Sequence, residues 1–356
     1  MRIAFIFNVR HMKQGLGKKA QEEAEFDEPA TIAAIHNAIV ANGYEVTDIE
    51  ADEDAYDKLK TLRENIDLVF NIAEGNQGEM REAQMPAILE FLGIPYTHSG
   101  ALAQAISLDK SLTKKVWQYH GLPTPKFVEI GFRERPYVEG LEFPVIVKPN
   151  SEGSSKGIFN DNIIEEPSLL LEKIHQTRKS YGNGVLVEEF LPGREFTVTV
   201  MGNPSASFGN TQDKGSGQVP SSQPYVLPIV EQNFDVFPKN LRKFSSYEAK
   251  WFFEDTLPDA RIAYHCPAKL DGKLQKLIEQ LCIQAFVVLR CRDVARIDLR
   301  LDANGRPHLL EINTLPGMMP GLDVVSYFPV AARAAGIDFT QMVGRVIAHA
   351  RERLGI

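Results

Sequence analysis

The segment VARIDLRLDANGRPHLLEINTLPG, residues 294–317, limits what this chain can fold into more than any other. Two runs of alternating character flank Asn304-Gly305, a strong short-range signal for a β-hairpin. With Asn304 and Gly305 as the two loop residues, antiparallel pairing sets Ala303 opposite Arg306, Asp298 opposite Glu311 and Arg296 opposite Asn313. Strand side chains alternate between faces, so these polar groups share one face, while Ala295, Ile297, Leu299, Leu310 and Ile312 form the core side. Two carboxylates directly opposite on a sheet repel, so such a face is either solvated or built around a bound cation. Asn313 adds a neutral oxygen, Arg296 a positive group and Pro316-Gly317 a sharp turn, and these additions favour the cation. Hard oxygen ligands suit Mg²⁺, which commonly sits between one or two carboxylates and nucleotide phosphates. Asp298, Glu311 and Asn313 are therefore the candidate metal ligands.

Two further segments carry chemistry. VIVKPNSEGSSKG, residues 145–157, reads as a strand bearing Lys148 followed by a loop with Gly153, Ser154, Ser155 and Gly157. Glycines let backbone approach phosphate, and free N–H and hydroxyl groups can donate to it, although a glycine-serine loop alone is most often only a loop. It is neither the P-loop nor the dinucleotide glycine pattern. In LVEEFLPGREFTV, residues 186–198, Glu188, Glu189 and Glu195 surround a Pro-Gly turn between two strands. An extended hinge of this type offers backbone to adenine and a carboxylate to ribose; on the residues alone it is equally a hairpin with solvent-facing acids.

At 356 residues the chain exceeds one typical domain of about 100–200 residues, so two or three lobes around a cleft are expected. A strand at 2–7, a helix at 29–41, strands at 45–49, 66–72 and 94–97, and a helix at 81–92 predict a small, mostly parallel α/β lobe over residues 1–98. Helices at 101–107 and 110–120 open a second lobe, 99–187. The third, 188–356, holds strands at 185–190 and 195–201, helices near 272–289 and 336–354, and the hairpin. Residues 202–226, rich in Gly, Ser, Asn, Gln and Pro, have the composition of a mobile loop. The formal net charge of −8 argues against nucleic acid as the main partner. Cys266, Cys282 and Cys291, an odd number without CxxC spacing, fit a reducing compartment, and no apolar run reaches the roughly 18 residues that span a bilayer. A cytoplasmic protein without membrane partners is expected.

In this order, LGIPYTHSGALAQAISLDK, FPVIVKPNSEGSSKG, EEFLPGREFTV, YEAKW and RIDLRLDANGRPHLLEINTLPGM resemble the ATP-grasp superfamily, and specifically its D-alanine–D-alanine ligases. One such motif is weak; five collinear ones, covering most of residues 66–330, are specific. The resemblance implies a three-lobe α/β ATP-grasp fold with an N-terminal Rossmann-like lobe, and an ADP-forming ligase that joins a carboxylate to an amine through an acyl phosphate. It implies that Lys110 and Lys148 contact ATP phosphates, Lys250 of YEAKW reaches the γ-phosphate, Glu188 and Leu191 face adenine, and Glu195 meets the ribose. Ser155 belongs to the same nucleotide loop. Asp298, Glu311 and Asn313 would hold two Mg²⁺ ions, with Mn²⁺ as a substitute. Arg296 and the backbone of Gly317 would stabilise the oxyanion, and Ser154 and Glu28 would close over the first substrate. Substrates would be small amino acids or peptides, and a homodimer is left open. Closure of the 202–226 loop and YEAKW would exclude water from the acyl phosphate.

Departures cluster where substrates, rather than ATP, should bind. The family's N-terminal GG-x-S-x-E-x-x-V-S segment is replaced by NVRHMKQGLGKKAQEEAEFDEPATI, in which Glu28, just before the first helix, is the nearest match to the amine-binding glutamate. Trp251 stands where the peptidoglycan enzymes typically have tyrosine, and Lys156 stands where the EGSS loop usually has an apolar residue. The segment after Met318 is longer, with Ser326-Tyr327 as the counterpart of the carboxylate-binding serine. These changes lead to two expectations: that D-alanine paired with itself is a poor substrate, and that Lys156 attracts an acidic substrate group. Ligation of a different amino acid or peptide pair, and nucleotide binding without turnover, are the rival readings. The intact Arg296, Asp298, Glu311 and Asn313 set counts against the second.

Overall fold

A computed structural model describes residues 1–12, 15, 21–75, 77–204 and 223–356. The polar loop expected at 202–226 therefore lies mostly outside the described residues, as does part of the segment that replaces the family's N-terminal glycine motif. Strand β1 (Arg2–Phe7) runs between β2 (Glu45–Glu50) and β3 (Leu68–Asn71), all parallel. Helices α1 (Pro29–Ala41), α2 (Ala55–Leu62) and α3 (Arg81–Leu92) connect and cover them. A parallel sheet covered on both faces needs continuous apolar strands, which is why RIAFIF does not alternate. Ile3, Phe5 and Phe7 join the core with α1, while Ala4 and Ile6 join the core with Leu59 and Leu89 of α2 and α3.

Helix α4 (Ala101–Leu108) stops at Asp109, and α5 (Lys110–Tyr119) begins there. Asp109 is extended and its Oδ1 accepts from Leu112 N at 2.8 Å, an N-cap that ends one helix and starts the next. The second lobe follows: β4 (Phe127–Ile130), β5 (Val145–Pro149), β6 (Ile163–Ile164), α6 (Pro167–Tyr181) and β7 (Val185–Glu189), with sheet order β4-β7-β5-β6, antiparallel throughout. The loop after β5 is tied to α5. Lys110 N donates to Asn150 O at 3.1 Å, Ser111 N to Asn150 Oδ1 at 3.0 Å, and Asn150 Nδ2 to Asp109 Oδ1 at 2.8 Å.

The third sheet contains β8 (Glu195–Met201), β9 (Tyr225–Val226), β10 (Val230–Gln232), β11 (Tyr264–His265), β12 (Val294–Leu301) and β13 (Pro307–Asn313). Its order is β11-β10-β8-β12-β13, with β9 on β8. Beneath it, α7 (Gly272–Val288) contributes Ile278, Leu281 and Phe286, and α5 contributes Trp117. The last helices, α8 (Tyr327–Ala334) and α9 (Phe339–Leu354), return to the first lobe, where Phe328, Val343 and Ile347 share a core with Phe5 and Ile35. Both ends of the chain thus close one core, and the lobes are joined by buried apolar surface as well as by linkers. The α/β class agrees with the expectation from sequence, whereas the strand expected at 185–190 in the third lobe is β7 of the second sheet, where it pairs with β5.

Trp117 is fully buried between α5 and the third sheet. Its replacement in Trp117→Ala leaves a large cavity, and the unfolding free energy from urea titration should fall by about 3–5 kcal/mol. A loss below about 1 kcal/mol would contradict this packing.

Candidate active site

The hairpin brings the expected polar face together, but by a different local route. Arg296 pairs with Asn313 and Asp298 with Glu311, as the sequence predicts; beyond them the register slips by one, so that Leu299 pairs with Leu309 and Leu301 with Pro307. The loop is one residue longer than two. Asp302 N donates to Arg306 O at 2.9 Å, enclosing Ala303, Asn304 and Gly305, and Gly305 takes the left-handed conformation with φ 75°. A bulge at Leu310 absorbs the extra residue, and the two errors cancel at the site. They do not cancel for the core: Leu309 is buried under the sheet, whereas Leu310, expected on the core side, faces the cleft.

That cleft, about 890 Å³, lies between the second and third sheets. Its walls include Lys148, Ser154, Ser155, Glu188, Leu191, Glu195, Lys250, Arg296, Asp298 and Glu311, so ten residues nominated from sequence converge on one space. Arg296 Nη2 lies 3.0 Å from Asp298 Oδ2, and Thr197 Oγ1 donates to Asp298 Oδ1 at 2.8 Å. Lys110 Nζ is 3.6 Å from Glu311 and also donates to the carbonyl of Glu152. Burial pushes the Asp298 carboxyl up, with the facing Glu311 adding to it. Burial acts on Glu311 too, but Lys110, Lys148, Arg296 and Lys250 outweigh it and hold that carboxyl below its ordinary value. Asn313 Oδ1 accepts from Leu315 N at 2.8 Å, which fixes the amide oxygen at the strand end.

Sequence reasoning names Glu188 for adenine and misses both its buried partner Lys114 and its role in holding the lysines. Glu188 on β7 lies between two ammonium groups: Lys148 of β5, in a close ion pair, and Lys114 of α5, at 2.8 Å. Lys114 is wholly buried, donating to Thr124 Oγ1 at 2.7 Å. Burial acts to raise the Glu188 carboxyl, but the two lysines hold it at about 2. Lys114 sits one turn after Lys110, and that spacing is the only local signal; its partner is 74 residues away in the chain. Glu195 is similarly committed, to Arg300 at 2.8 Å and Ser245 Oγ at 2.6 Å.

Ser154 and Ser155 both have left-handed backbone, with φ 50° and 58°. Two adjacent non-glycine residues in that region store strain of a kind concentrated at ligand-clamping loops. The π-helical turn Ala249–Phe253 fastens onto them: Trp251 Nε1 donates to Ser154 O at 3.1 Å, and Lys250 Nζ lies 3.5 Å from Ser154 Oγ. The indole therefore latches one loop to the other. Burial, with Arg296 nearby, lowers Lys250 to about 8. Gly317 has its carbonyl held by Ser326 Oγ at 2.9 Å, and its N–H has no hydrogen bond among the described residues. Tyr327 donates to Gln232 Oε1 at 2.9 Å at the edge of the cleft.

A second cavity, about 450 Å³, continues past the hairpin and is lined by Lys110, Ser154, Arg296, Glu311 and Asn313 together with Glu25, Glu74 and Glu82. Glu28 is elsewhere. Its exposed side chain pairs with Arg10 at 3.2 Å and lines a neighbouring cavity with Lys250 and Trp251. Glu25 is the glutamate pressed against the EGSS loop, where a Cβ on Gly153 would collide with its carboxylate. Lys156, expected to attract an acidic substrate group, is instead taken up by carboxylates of the chain itself. Its ammonium is buried, 2.6 Å from Glu25 and 2.8 Å from Glu152, and no charge is left to offer.

Paired lysines on one lobe, facing a carboxylate hairpin on the next across a shared cleft, define an ATP-grasp ligase. A family model described as D-ala D-ala ligase C-terminus matches residues 116–348, and the chain belongs to the D-alanine–D-alanine ligase family. It is 31% identical over 351 residues to the D-alanine–D-alanine ligase of Pelotomaculum thermopropionicum, with 96% of each chain covered. It is 35% identical over 286 residues to an uncharacterized protein of Sinorhizobium fredii, covering 80% of this chain and 75% of that one. The fold matches the crystal structure of the D-alanine–D-alanine ligase from Bacillus anthracis complexed with ATP, with a TM-score of 0.70 at 23% identity over 99% of this chain and 98% of that one. Among the described residues no helix is long and apolar enough to cross a membrane.

The Glu188 arrangement has a titration signature. A carboxyl held at about 2, against an ordinary 4.5, adds stability that is fully present above about pH 4.5 and is lost as the pH falls through about 2. The stability gap between wild type and Glu188→Gln, from denaturant titrations, should shrink by roughly 3 kcal/mol over that window. A gap independent of pH would contradict the pairing.

Proposed function

We propose that this chain is an ADP-forming carboxylate–amine ligase acting through an acyl phosphate on small amino-acid or peptide substrates. The observation that carries the reading is that the two cavities meet at Ser154, Arg296 and Glu311, so a nucleotide in the larger one directs its terminal phosphate at a carboxylate in the smaller. A carboxylate oxygen of the donor attacks the γ-phosphorus and ADP leaves. The acceptor amine, having given up a proton, then attacks the acyl carbon; the C–O bond breaks and phosphate departs. Both steps depend on positioning and on neutralising charge as it develops.

In this reading Lys110 and Lys148 contact the phosphates, Lys250 meets the γ-phosphate, Leu191 lies against adenine and Glu195 reaches the ribose. Glu188 acts through Lys148, as a positioning residue. Arg296 and the N–H of Gly317 face the oxyanion of the tetrahedral intermediate. Ser154 and Ser155 clamp the junction, and Glu25, rather than Glu28, meets the donor's ammonium. The hard oxygens of Asp298, Glu311 and Asn313, set opposite or beside one another at the end of the hairpin, fit Mg²⁺ or Mn²⁺. When bound, such ions neutralise phosphate charge. The odd set of free cysteines and the net charge of −8 fit a cytoplasmic enzyme of small molecules rather than a nucleic-acid partner.

Glu311→Gln keeps the shape of the side chain and removes its charge. Turnover should fall by about 10²-fold or more, measured as ADP release with a panel of paired amino acids, while circular dichroism and Tm stay near wild type. Near wild-type turnover at saturating Mg²⁺ would refute the assignment.

A further inference from the structure

The smaller cavity holds more negative charge than its own cations balance. Four carboxylates surround its far end: Glu25, Glu74, Glu82 and Glu152. Arg81 and Lys156 answer two of them, with Arg81 2.8 Å and Lys156 2.6 Å from Glu25, and Lys156 2.8 Å from Glu152. Lys110 is directed to Glu311 and the Glu152 carbonyl. Glu74 and Glu82 are left over. Glu82 is only 7% exposed, lines the cavity, and has neither hydrogen bond nor ion pair among the described residues. A buried carboxylate without a partner is expensive and implies a missing one.

The position is that of a ligand site. Glu74 follows β3, and Glu82 occupies the first turn of α3, beyond the carboxyl ends of the parallel strands, where open α/β sheets bind ligands. One oxygen from each of Glu25, Glu74 and Glu82 lies within 4.8 Å of the others. An ammonium donating three hydrogen bonds of ~2.8 Å spreads its acceptors about 4.6 Å apart, so one such group can satisfy all three. Burial raises Glu74 well above the ordinary range, with Glu82 and Glu25 adding to it, and burial with Glu25 raises Glu82 to about 7; a cation held between them favours the ionised carboxylates.

We infer that the carboxylate donor is an amino acid carrying a second cationic group, an ammonium or guanidinium on its side chain, which Glu74 and Glu82 receive while the donor's carboxylate lies at Arg296 and Glu311. The inference rests on the ligase reading for the placement of that carboxylate. A zwitterion such as alanine sets one positive charge against the two leftover carboxylates; a diamino acid sets two. Glu25, already paired with Arg81 and Lys156, orients the site, and the leftover pair sets its preference.

Binding separates this inference from the ligase reading. With Mg²⁺ and a non-hydrolysable ATP analogue, calorimetric titration of the full chain with both enantiomers of alanine, 2,3-diaminopropionate, ornithine and lysine should show at least one diamino acid binding about tenfold or more tighter than alanine. Glu82→Gln should erase about tenfold of that advantage, and Glu74→Gln serves the same purpose should Glu82→Gln not fold. The inference is overturned if no diamino acid outbinds alanine, if the advantage survives both substitutions, or if Mn²⁺ alone binds the nucleotide-free protein and is lost in Glu82→Gln, which would make the trio a metal site. Tight binding of a diamino acid without ADP formation under ATP would support the pocket and refute the ligase reading. ADP formation led by alanine would do the reverse.

Discussion

Asp298 and Glu311 stand opposite one another on neighbouring strands, and the arrangement around them answers their repulsion. Arg296 comes from the same strand as Asp298, Lys110 from the start of α5, Lys148 from the second sheet and Lys250 from the π-helical turn. Cations drawn from four places in the chain can converge on two carboxylates only if the second lobe is held over the third. The charge pattern and the lobe packing are therefore one problem. Glu188 solves part of it by keeping two buried lysines side by side, which without a carboxylate between them would repel. Asn150 solves another part by tying the loop after β5 to the first residues of α5.

What was legible in the sequence follows from which patterns are local. Alternation with period two made the polar face of the hairpin readable, and Asn304-Gly305 marked its turn. The loop length and the Leu310 bulge were not readable, because each alone shifts the register and only together do they preserve it. Lys148 and Ser154 stood out because a strand ends in a glycine-serine loop. Lys114 did not, since a lysine on a helix reads as solvated until the strand bearing Glu188 is placed beside it. Glu28 is the nearest sequence match to the amine-binding glutamate because it precedes Pro29, the first helical residue. No periodicity in the preceding segment indicates which glutamate turns inward, and the fold selects Glu25 through the close approach of Gly153.

The substitutions that depart from the family pattern resolve into two kinds. Trp251 and Lys156 are internal fastenings, one latching the YEAKW turn to the EGSS loop and the other neutralising Glu25 and Glu152. The unbalanced charge lies elsewhere, with Glu74 and Glu82, in a part of the chain that carries no motif. Phosphate-end residues are constrained by one ligand and one geometry. Substrate-end residues answer to whatever is being joined.

The acyl phosphate is the centre of the account, and the fate of one oxygen tests it. With a donor whose carboxylate carries ¹⁸O, attack on the γ-phosphorus makes that oxygen the bridge between carbon and phosphorus, and amine attack on carbon expels it with the phosphate. Mass spectrometry of the released phosphate should find one ¹⁸O for each amide bond formed. Phosphate free of label, with both labelled oxygens retained in the donor, would mean that ATP is cleaved without activating the carboxylate.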